Sequence, residues 1–375
     1  MKTFAALFAC LLAVAPAWTQ CRKTGEIDAS KPEGLLLQKA GLEEDPAKKL
    51  ALQQEFAAQY PKHEAAGWVN EQLLTAYVKA GDADKALAIG DVLAATPPEC
   101  VEDSQTTLKA AELKKDPDLV LKWSNRTAEM AAKVVASAQP TEADEVENWK
   151  ARVDYAKQVG TYADYSLYAM ALGSTDPKKQ TMLLDALEKR NPKSEYLAKA
   201  VDLRFVAYQK SGDNAKAVAL AQQAAANGQP GEEMLLVLTD DAVKRKDRDK
   251  VHAYSAKLVE TMSVKAKPEG VADADWTKRK NTILVYAYTT DGEQLFNDGK
   301  LAPADQELRK ALPLIDDNYA GKPEILFFLG LANYKMEKAQ DAVNFFKACA
   351  AFKSPFQVQA NKNLVAIRAQ YHGVK

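Results

Sequence analysis

The side chains that most often carry catalysis are few in this chain and isolated from one another. Its 375 residues include only three histidines, His63, His252 and His372, and none belongs to an HExxH or similar arrangement. There is no GxSxG nucleophile turn and no glycine-rich phosphate loop after a strand. We expect His63 and His372 at the surface and His252 as a half-buried packing residue. The sequence therefore predicts no catalytic residues and no cofactor, and a protein that is not an enzyme.

The cysteines are the next candidates for chemistry. Cys21, Cys100 and Cys349 lie beyond the N-terminal apolar run, and their spacing matches no metal-binding motif, so we predict no metal site. Cys349 stands among apolar residues and is expected to behave as a small buried hydrophobe. Cys21 and Cys100 could form a disulfide in an oxidising compartment. The sequence alone leaves that pairing open.

The N-terminus has the pattern of an export signal. Lys2 precedes an apolar run from Phe4 to Ala15, which is too short to span a bilayer, and Ala15-Pro16-Ala17 offers small residues for cleavage. A lipoprotein signal fits less well, because Cys21 follows Trp18-Thr19-Gln20 rather than a small residue. We predict a signal peptide at residues 1–17, cleaved there or a few residues later. A periplasmic or secreted protein, of bacterial type, is expected.

The charge balance argues against a nucleic-acid partner. The chain has 50 Lys and Arg against 51 Asp and Glu. Removal of residues 1–17 takes away Lys2, which leaves 49 basic residues against 51 acidic ones, a formal charge of −2. Proteins that bind nucleic acids usually carry clustered basic residues and a high pI. We expect no nucleic-acid binding and, beyond the N-terminal run, no membrane span.

The segment from Pro323 to Pro355 carries the clearest structural pattern. Leu329-Gly330, Tyr334, Ala342 and Phe346 have the spacing of a tetratricopeptide repeat (TPR), which is a helix–turn–helix unit of about 34 residues. The small residues allow two antiparallel helices to approach closely, and the large ones fill the space between them. The chain therefore resembles the TPR family.

The same register recurs along the chain. The small-residue position of the second helix falls at Ala86, Val120, Ala217, Val251, Ala304 and Ala342. The steps from 86 to 120 and from 217 to 251 are both 34 residues. Gly81-Asp82 and Gly212-Asp213 suit the turn between helices, because glycine ends one helix and aspartate starts the next. The resemblance implies an all-α fold, a right-handed α-solenoid of TPR-like helix–turn–helix repeats.

The register also divides the chain. We predict an N-terminal arm at residues 18–45, one solenoid over residues 46–354 with a loop at 263–275, and a C-terminal capping helix and tail at residues 355–375. The composition of residues 282–290, TILVYAYTT, is typical of a strand. The repeat register predicts a helix there instead. Between residues 127 and 168 the signature residues fade, although the apolar spacing stays helical.

The function implied by the resemblance is the binding of another protein or a peptide, whose identity the sequence does not give. In this family the first helix of each repeat lines the binding surface. The aromatic residues at such positions are Tyr165, Tyr286, Phe296, Phe327 and Tyr334. Aromatic side chains often anchor interfaces, but each of these could equally pack between helices. We predict a non-enzymatic scaffold of the cell envelope. The alternative is a small-molecule or glycan-binding envelope protein whose aromatic residues stack on its ligand.

Overall fold

The computed structural model of this protein describes residues 21–228, 230–371 and 373–374. Over these residues all regular secondary structure is helical, and no strand occurs. The predicted fold class, an all-α solenoid of TPR-like repeats, is confirmed. The predicted signal peptide lies outside the described residues. No helix in the described part of the chain is long and apolar enough to cross a membrane.

The chain divides into two compact units, Met1–Ser211 and Gly212–Lys375. Unit 1 contains the helices α1 to α10, which are Pro32–Leu42, Pro46–Gln59, Ala66–Ala80, Ala83–Ala94, Val101–Lys114, Pro117–Val135, Ala143–Gly173, Pro177–Arg190, Glu195–Lys199 and Val201–Ser211. Unit 2 contains the helices α11 to α18, which are Asn214–Ala226, Glu232–Arg245, Arg248–Val264, Asp273–Asn297, Leu301–Ala311, Lys322–Lys335, Ala339–Ala350 and Gln357–Gln370. A short 3₁₀ turn, Leu312–Leu314, follows α15.

The turns of the repeats share one backbone conformation. Each has a residue with positive φ five positions before a buried small residue, and these turn residues are Gly81, Lys115, Gly212, Lys246, Gly299 and Glu337. The buried residues that follow them are Ala86, Val120, Ala217, Val251, Ala304 and Ala342, the six positions that the register predicts. Four of the turns then place an aspartate at the helix N-cap, where its side chain accepts hydrogen bonds from backbone N–H groups. Lysine and glutamate replace glycine in three of the turns.

Helix α14 contains the segment whose composition is typical of a strand. Residues 282–290 are helical, and Ile283, Val285 and Ala287 are buried there. Packing against neighbouring helices outweighs the weak local preference of β-branched residues for strands. The predicted loop at 263–275 is shorter in the structure, because α13 continues to Val264 and α14 starts at Asp273.

The region in which the repeat signature fades is nevertheless regular. Helix α7 extends over 31 residues, from Ala143 to Gly173. Its Val153, Ala156 and Val159 are buried, as the apolar spacing predicts. Val135, at the end of α6, also belongs to an apolar pair with Val134 in the sequence, but it is exposed. The apolar periodicity thus located both helices, although it did not set their ends.

The two terminal segments are attached in different ways. Residues 21–31 form no helix, and α1 then packs on α2 through Leu36 and Leu37, which are buried. At the other end, α18 packs on α17 through Ala360, Leu364 and Ile367. Val358 and Val365 face away from this contact and are exposed.

Candidate functional site

Two of the predicted partner-binding residues in unit 2 lie between helices. Phe296 keeps only 9% of its side chain exposed, and its ring meets that of Phe328 edge-on at a centroid distance of 5.5 Å. The ring of Phe327 is half-buried and lies 5.8 Å from the ring of Phe346 and 5.2 Å from that of Phe356. The expectation that these two rings face a partner is corrected, because α16 covers Phe296, and α17 and the start of α18 cover Phe327.

Tyr334 and Tyr286 are partly accessible but hydrogen-bonded. The Tyr334 hydroxyl donates to Oε1 of Gln370 on α18 at 2.8 Å. The Tyr286 hydroxyl donates to the carboxylate of Asp240 on α12. Burial, together with that carboxylate, raises the pKa of Tyr286 above its ordinary value, so the hydroxyl stays protonated. These four aromatic residues therefore do not form one open aromatic surface.

Tyr165, in unit 1, is the predicted residue that the structure leaves open. It is 37% exposed on α7, and its ring lies 5.6 Å from that of Tyr196 on α9. Tyr168, one turn further along α7, stacks on Tyr196 at 5.4 Å with an interplanar angle of 23°. The ammonium of Lys199 lies 5.1 Å above the Tyr196 ring. Tyr165, Tyr168 and Tyr196 define a tyrosine patch, the candidate binding surface of this protein.

A hydrogen-bond network on α7 lies beside the tyrosine patch. The Tyr162 hydroxyl donates to Oε2 of Glu112 on α5 at 2.5 Å, and the Ser166 hydroxyl donates to the other carboxylate oxygen. Burial first, and the Glu112 carboxylate second, raise the pKa of Tyr162. This network restricts the rotation of α7, so the face that carries Tyr165 and Tyr168 has a defined direction. Tyr162, Tyr165 and Tyr168 recur three residues apart in the sequence, but no pattern in the sequence pointed to Tyr196.

The N-terminal segment is held to the loop between α4 and α5. Cys21 and Cys100 form a disulfide with a Cα–Cα distance of 5.9 Å. Next to it, the guanidinium of Arg22 is 4% exposed and donates to Oδ2 of Asp103 at 3.1 Å. Its other N–H groups donate to four backbone carbonyls, those of Leu93, Thr96, Pro97 and Pro98. Sequence reasoning did not identify Arg22, and its position after Cys21 was the one available signal.

One group of acidic and sulfur ligands in the described part of the chain is close enough for a metal. It comprises Glu71, Cys100 and Asp103, whose ligand atoms lie within 4.8 Å of one another. The disulfide occupies the Cys100 sulfur, and Arg22 already pairs with Asp103. Burial and the Asp103 carboxylate raise the pKa of Glu71 to about 8, so Glu71 is protonated at neutral pH and hydrogen-bonds to Asp103. The group is therefore an acid pair neutralised by an arginine, and its donor set does not suit a metal ion.

The remaining candidates for chemistry have structural partners. Nδ1 of His63 accepts from the backbone N–H of Ala65 at 3.1 Å, and Nδ1 of His252 lies 2.7 Å from Asp291. The side chain of His372 lies outside the described residues. Cys349 is buried, its thiol donates to the carbonyl of Pro323, and burial raises its pKa to about 11. The side chain of His252 is 58% exposed, which corrects the expectation that it is a half-buried packing residue.

Comparison with known proteins finds similarity at the level of solved structures. No family model and no curated protein matches the sequence. The chain is similar to the APC/C heterotetramer Cut9–Hcn1, with 13% identity over 90% of this chain and 56% of that one and a TM-score of 0.32. It is also similar to yeast Tom70, with 13% identity over 93% and 66% of the two chains and a TM-score of 0.34.

A third similar structure is a tetratricopeptide repeat protein from Parabacteroides merdae. It is 11% identical over 89% of this chain and 98% of that one, with a TM-score of 0.26. The chain spans less than two thirds of the length of the first two proteins. The assignment of TPR-like repeats rests on the helix bounds, the turns and the buried small residues described above.

Proposed function

We propose that this protein is a non-enzymatic TPR scaffold of the cell envelope that binds another protein or a peptide through the tyrosine patch of unit 1. The observation that carries the proposal is the exposed ring of Tyr165 beside the stacked pair Tyr168 and Tyr196. Tyrosine combines a large apolar ring with a polar hydroxyl and loses little conformational entropy on binding, which is why it is enriched at interface hot spots.

The chemistry of the patch favours a peptide with apolar or aromatic anchors. The rings offer flat apolar area, and the adjacent ammonium of Lys199 can pair with an acidic side chain or a backbone carbonyl of the partner. Lys199 also pairs with Glu195, so the charge around the patch is nearly balanced. Shape and apolar area would then contribute more to affinity than net charge.

The proposed compartment is the periplasm or the exterior of the cell. The disulfide between Cys21 and Cys100 supports this, because such bonds persist in oxidising compartments and are rare in the cytosol. The apolar run from Phe4 to Ala15 supports it independently, as an export signal. Mass spectrometry of the protein purified from a fractionated cell would test both features, since an uncleaved N-terminus or free Cys21 and Cys100 thiols would contradict export.

The binding surface is tested by affinity capture from envelope extract. In a Tyr165→Ala, Tyr196→Ala double variant we expect the captured partner to be lost, because the two contacting rings are removed. Leu172→Ala is the matched control, since Leu172 lies on the same helix α7, is 51% exposed and is outside the patch. Capture that is equal in the double variant and the control would contradict the proposal. Stabilisation of the wild type by glycans without any protein partner would favour the glycan-binding alternative.

A further inference from the structure

Unit 1 contains a cleft that the tyrosine patch does not use. It has a volume of about 390 Å³ and lies between the start of α5, the end of α6 and the start of α7. Its lining includes the apolar side chains of Val101, Met130 and Val134, of which the first two are buried. A cleft of this volume and apolar lining is in the range of sites that take a small molecule or a single large side chain.

One wall of the cleft is an oriented indole ring. Trp149, on the first turns of α7, lines the cleft, and its Nε1–H donates to the hydroxyl oxygen of Ser137 at 3.0 Å. That hydrogen bond limits rotation of the ring, and it uses the single polar group of the indole. The face of Trp149 is left for stacking against a flat or branched apolar group.

Two cations and one anion lie at the rim. Lys133 pairs with Glu99 at 2.7 Å and with Glu129 at 3.1 Å, so its charge is largely balanced. Arg152 lines the same cleft, and its charge acts on the partly buried carboxyl group of Glu102, whose pKa burial raises and Arg152 lowers. Arg152 is exposed, and no hydrogen bond or ion pair holds its guanidinium among the described residues, so the cleft offers a cation beside an apolar floor. Guanidinium groups bind carboxylates through two parallel hydrogen bonds.

The loop that carries Glu99 is fixed before any ligand binds. Arg22 donates to the carbonyls of Pro97 and Pro98, and the disulfide holds Cys100, the residue after Glu99. A rim that is already ordered loses little entropy on binding, which favours affinity. The ion pair with Glu99 also balances the charge of Lys133, so Lys133 competes less with Arg152 for an anion.

We propose that this cleft binds a small carboxylate that bears an aromatic or branched apolar group. The apolar group packs on Val101 and Met130 and against the face of Trp149, and the carboxylate pairs with Arg152. Two sources share this chemistry, a free carboxylic acid and the C-terminal residue of a peptide. The cleft is separate from the tyrosine patch, because Arg152 and Tyr165 are 13 positions apart on α7, roughly 20 Å along its axis.

The test is isothermal titration calorimetry of the full mature chain with N-acetyl-phenylalanine and with its amide. We expect the acid to bind at least ten times more tightly than the amide, because only the acid can pair with Arg152. Arg152→Gln is expected to abolish that tenfold difference, and Trp149→Ala to weaken both ligands. Lys150→Gln is the matched control, since Lys150 lies between Trp149 and Arg152 in sequence, is exposed and does not line the cleft.

The outcomes separate the proposal from its rivals. Equal binding of acid and amide, or unchanged binding of the acid by Arg152→Gln, overturns the proposal. A short peptide that ends in phenylalanine with a free carboxylate distinguishes the two sources. If it binds at least ten times more tightly than N-acetyl-phenylalanine, the ligand is a peptide C-terminus. If the peptide and N-acetyl-phenylalanine bind with equal affinity, the ligand is a free carboxylic acid. Circular dichroism of each variant confirms that the helices are intact.

Discussion

Gly330→Ala is expected to destabilise unit 2, although alanine favours helices. A Cβ atom at Gly330 on α16 would lie 2.7 Å from Cδ1 and 2.7 Å from Cε1 of Phe346 on α17. Carbon atoms in contact are normally about 3.5–4.0 Å apart, so the ring or the helix has to move by close to an ångström. Phe346 is fully buried and its ring contacts that of Phe327, so it has no open space to move into.

The magnitude follows from two opposing effects. Overpacking of a dense core costs about 1–3 kcal/mol, and replacing glycine by alanine within a helix returns up to about 1 kcal/mol. We expect a net loss of about 1–2 kcal/mol. Gly160→Ala is the matched control, because Gly160 lies inside α7 and its nearest neighbour is the Ala131 Cβ atom at 3.9 Å. That substitution has space and is expected to stabilise by about 0.5–1 kcal/mol.

The assay is urea unfolding followed by circular dichroism at 222 nm, with the transition of each unit fitted separately if two are resolved. A double-mutant cycle of Gly330→Ala with Phe346→Leu isolates the contact, because the smaller side chain relieves the clash. We expect the pair to lose less stability than the sum of the two single variants. A Gly330→Ala protein as stable as the Gly160→Ala protein, or strict additivity in the cycle, would refute the close approach of α16 and α17.

Three further predictions concern the N-terminal network and the C-terminal helix. Burial and the Asp103 carboxylate raise the pKa of Glu71 to about 8 in the folded protein, from 4.5 in the unfolded chain. The protonated Glu71 therefore contributes fully to folding stability below pH 4.5, and this contribution is lost as the pH rises through 8. Glu71→Gln, which keeps a hydrogen-bond donor, should therefore flatten the fall in urea midpoint between pH 5 and pH 9; an unchanged pH profile would contradict the raised pKa. Arg22→Ala should cost about 3 kcal/mol in the same unfolding assay, because it leaves Asp103 and the carbonyls of residues 93–98 without their buried donor, whereas the exposed Lys31→Ala should have almost no effect. Deletion of residues 355–375 should lower the melting temperature and cause aggregation, as it uncovers Phe327 and the other apolar side chains under α18, and a soluble truncation of unchanged melting temperature would show that the helix is not a cap.

The sequence by itself determined the class of fold and the register of the repeats. The six small residues from Ala86 to Ala342 are all buried, and each follows a turn of the same conformation. This was predictable because the two helices of a repeat are adjacent in the chain, so their contacts repeat at a fixed spacing. The same regularity identified residues 282–290 as helix despite their composition.

The tertiary structure decided which of the aromatic side chains predicted to bind a partner reach solvent. Phe296, Phe327 and Tyr165 are all aromatic residues on first helices, yet α16 covers Phe296, α17 and the start of α18 cover Phe327, and Tyr165 stays open. Exposure depends on the neighbouring helices, and their coverage is not encoded in the residue's own position within the repeat. The surroundings of Arg22 and Arg152 were likewise not predictable from local spacing. The carbonyl groups that accept hydrogen bonds from Arg22 lie more than 70 residues away in the sequence, and the cleft beside Arg152 is lined by residues of three helices. Local spacing therefore specified the repeats, and contacts between distant segments created the two candidate binding surfaces.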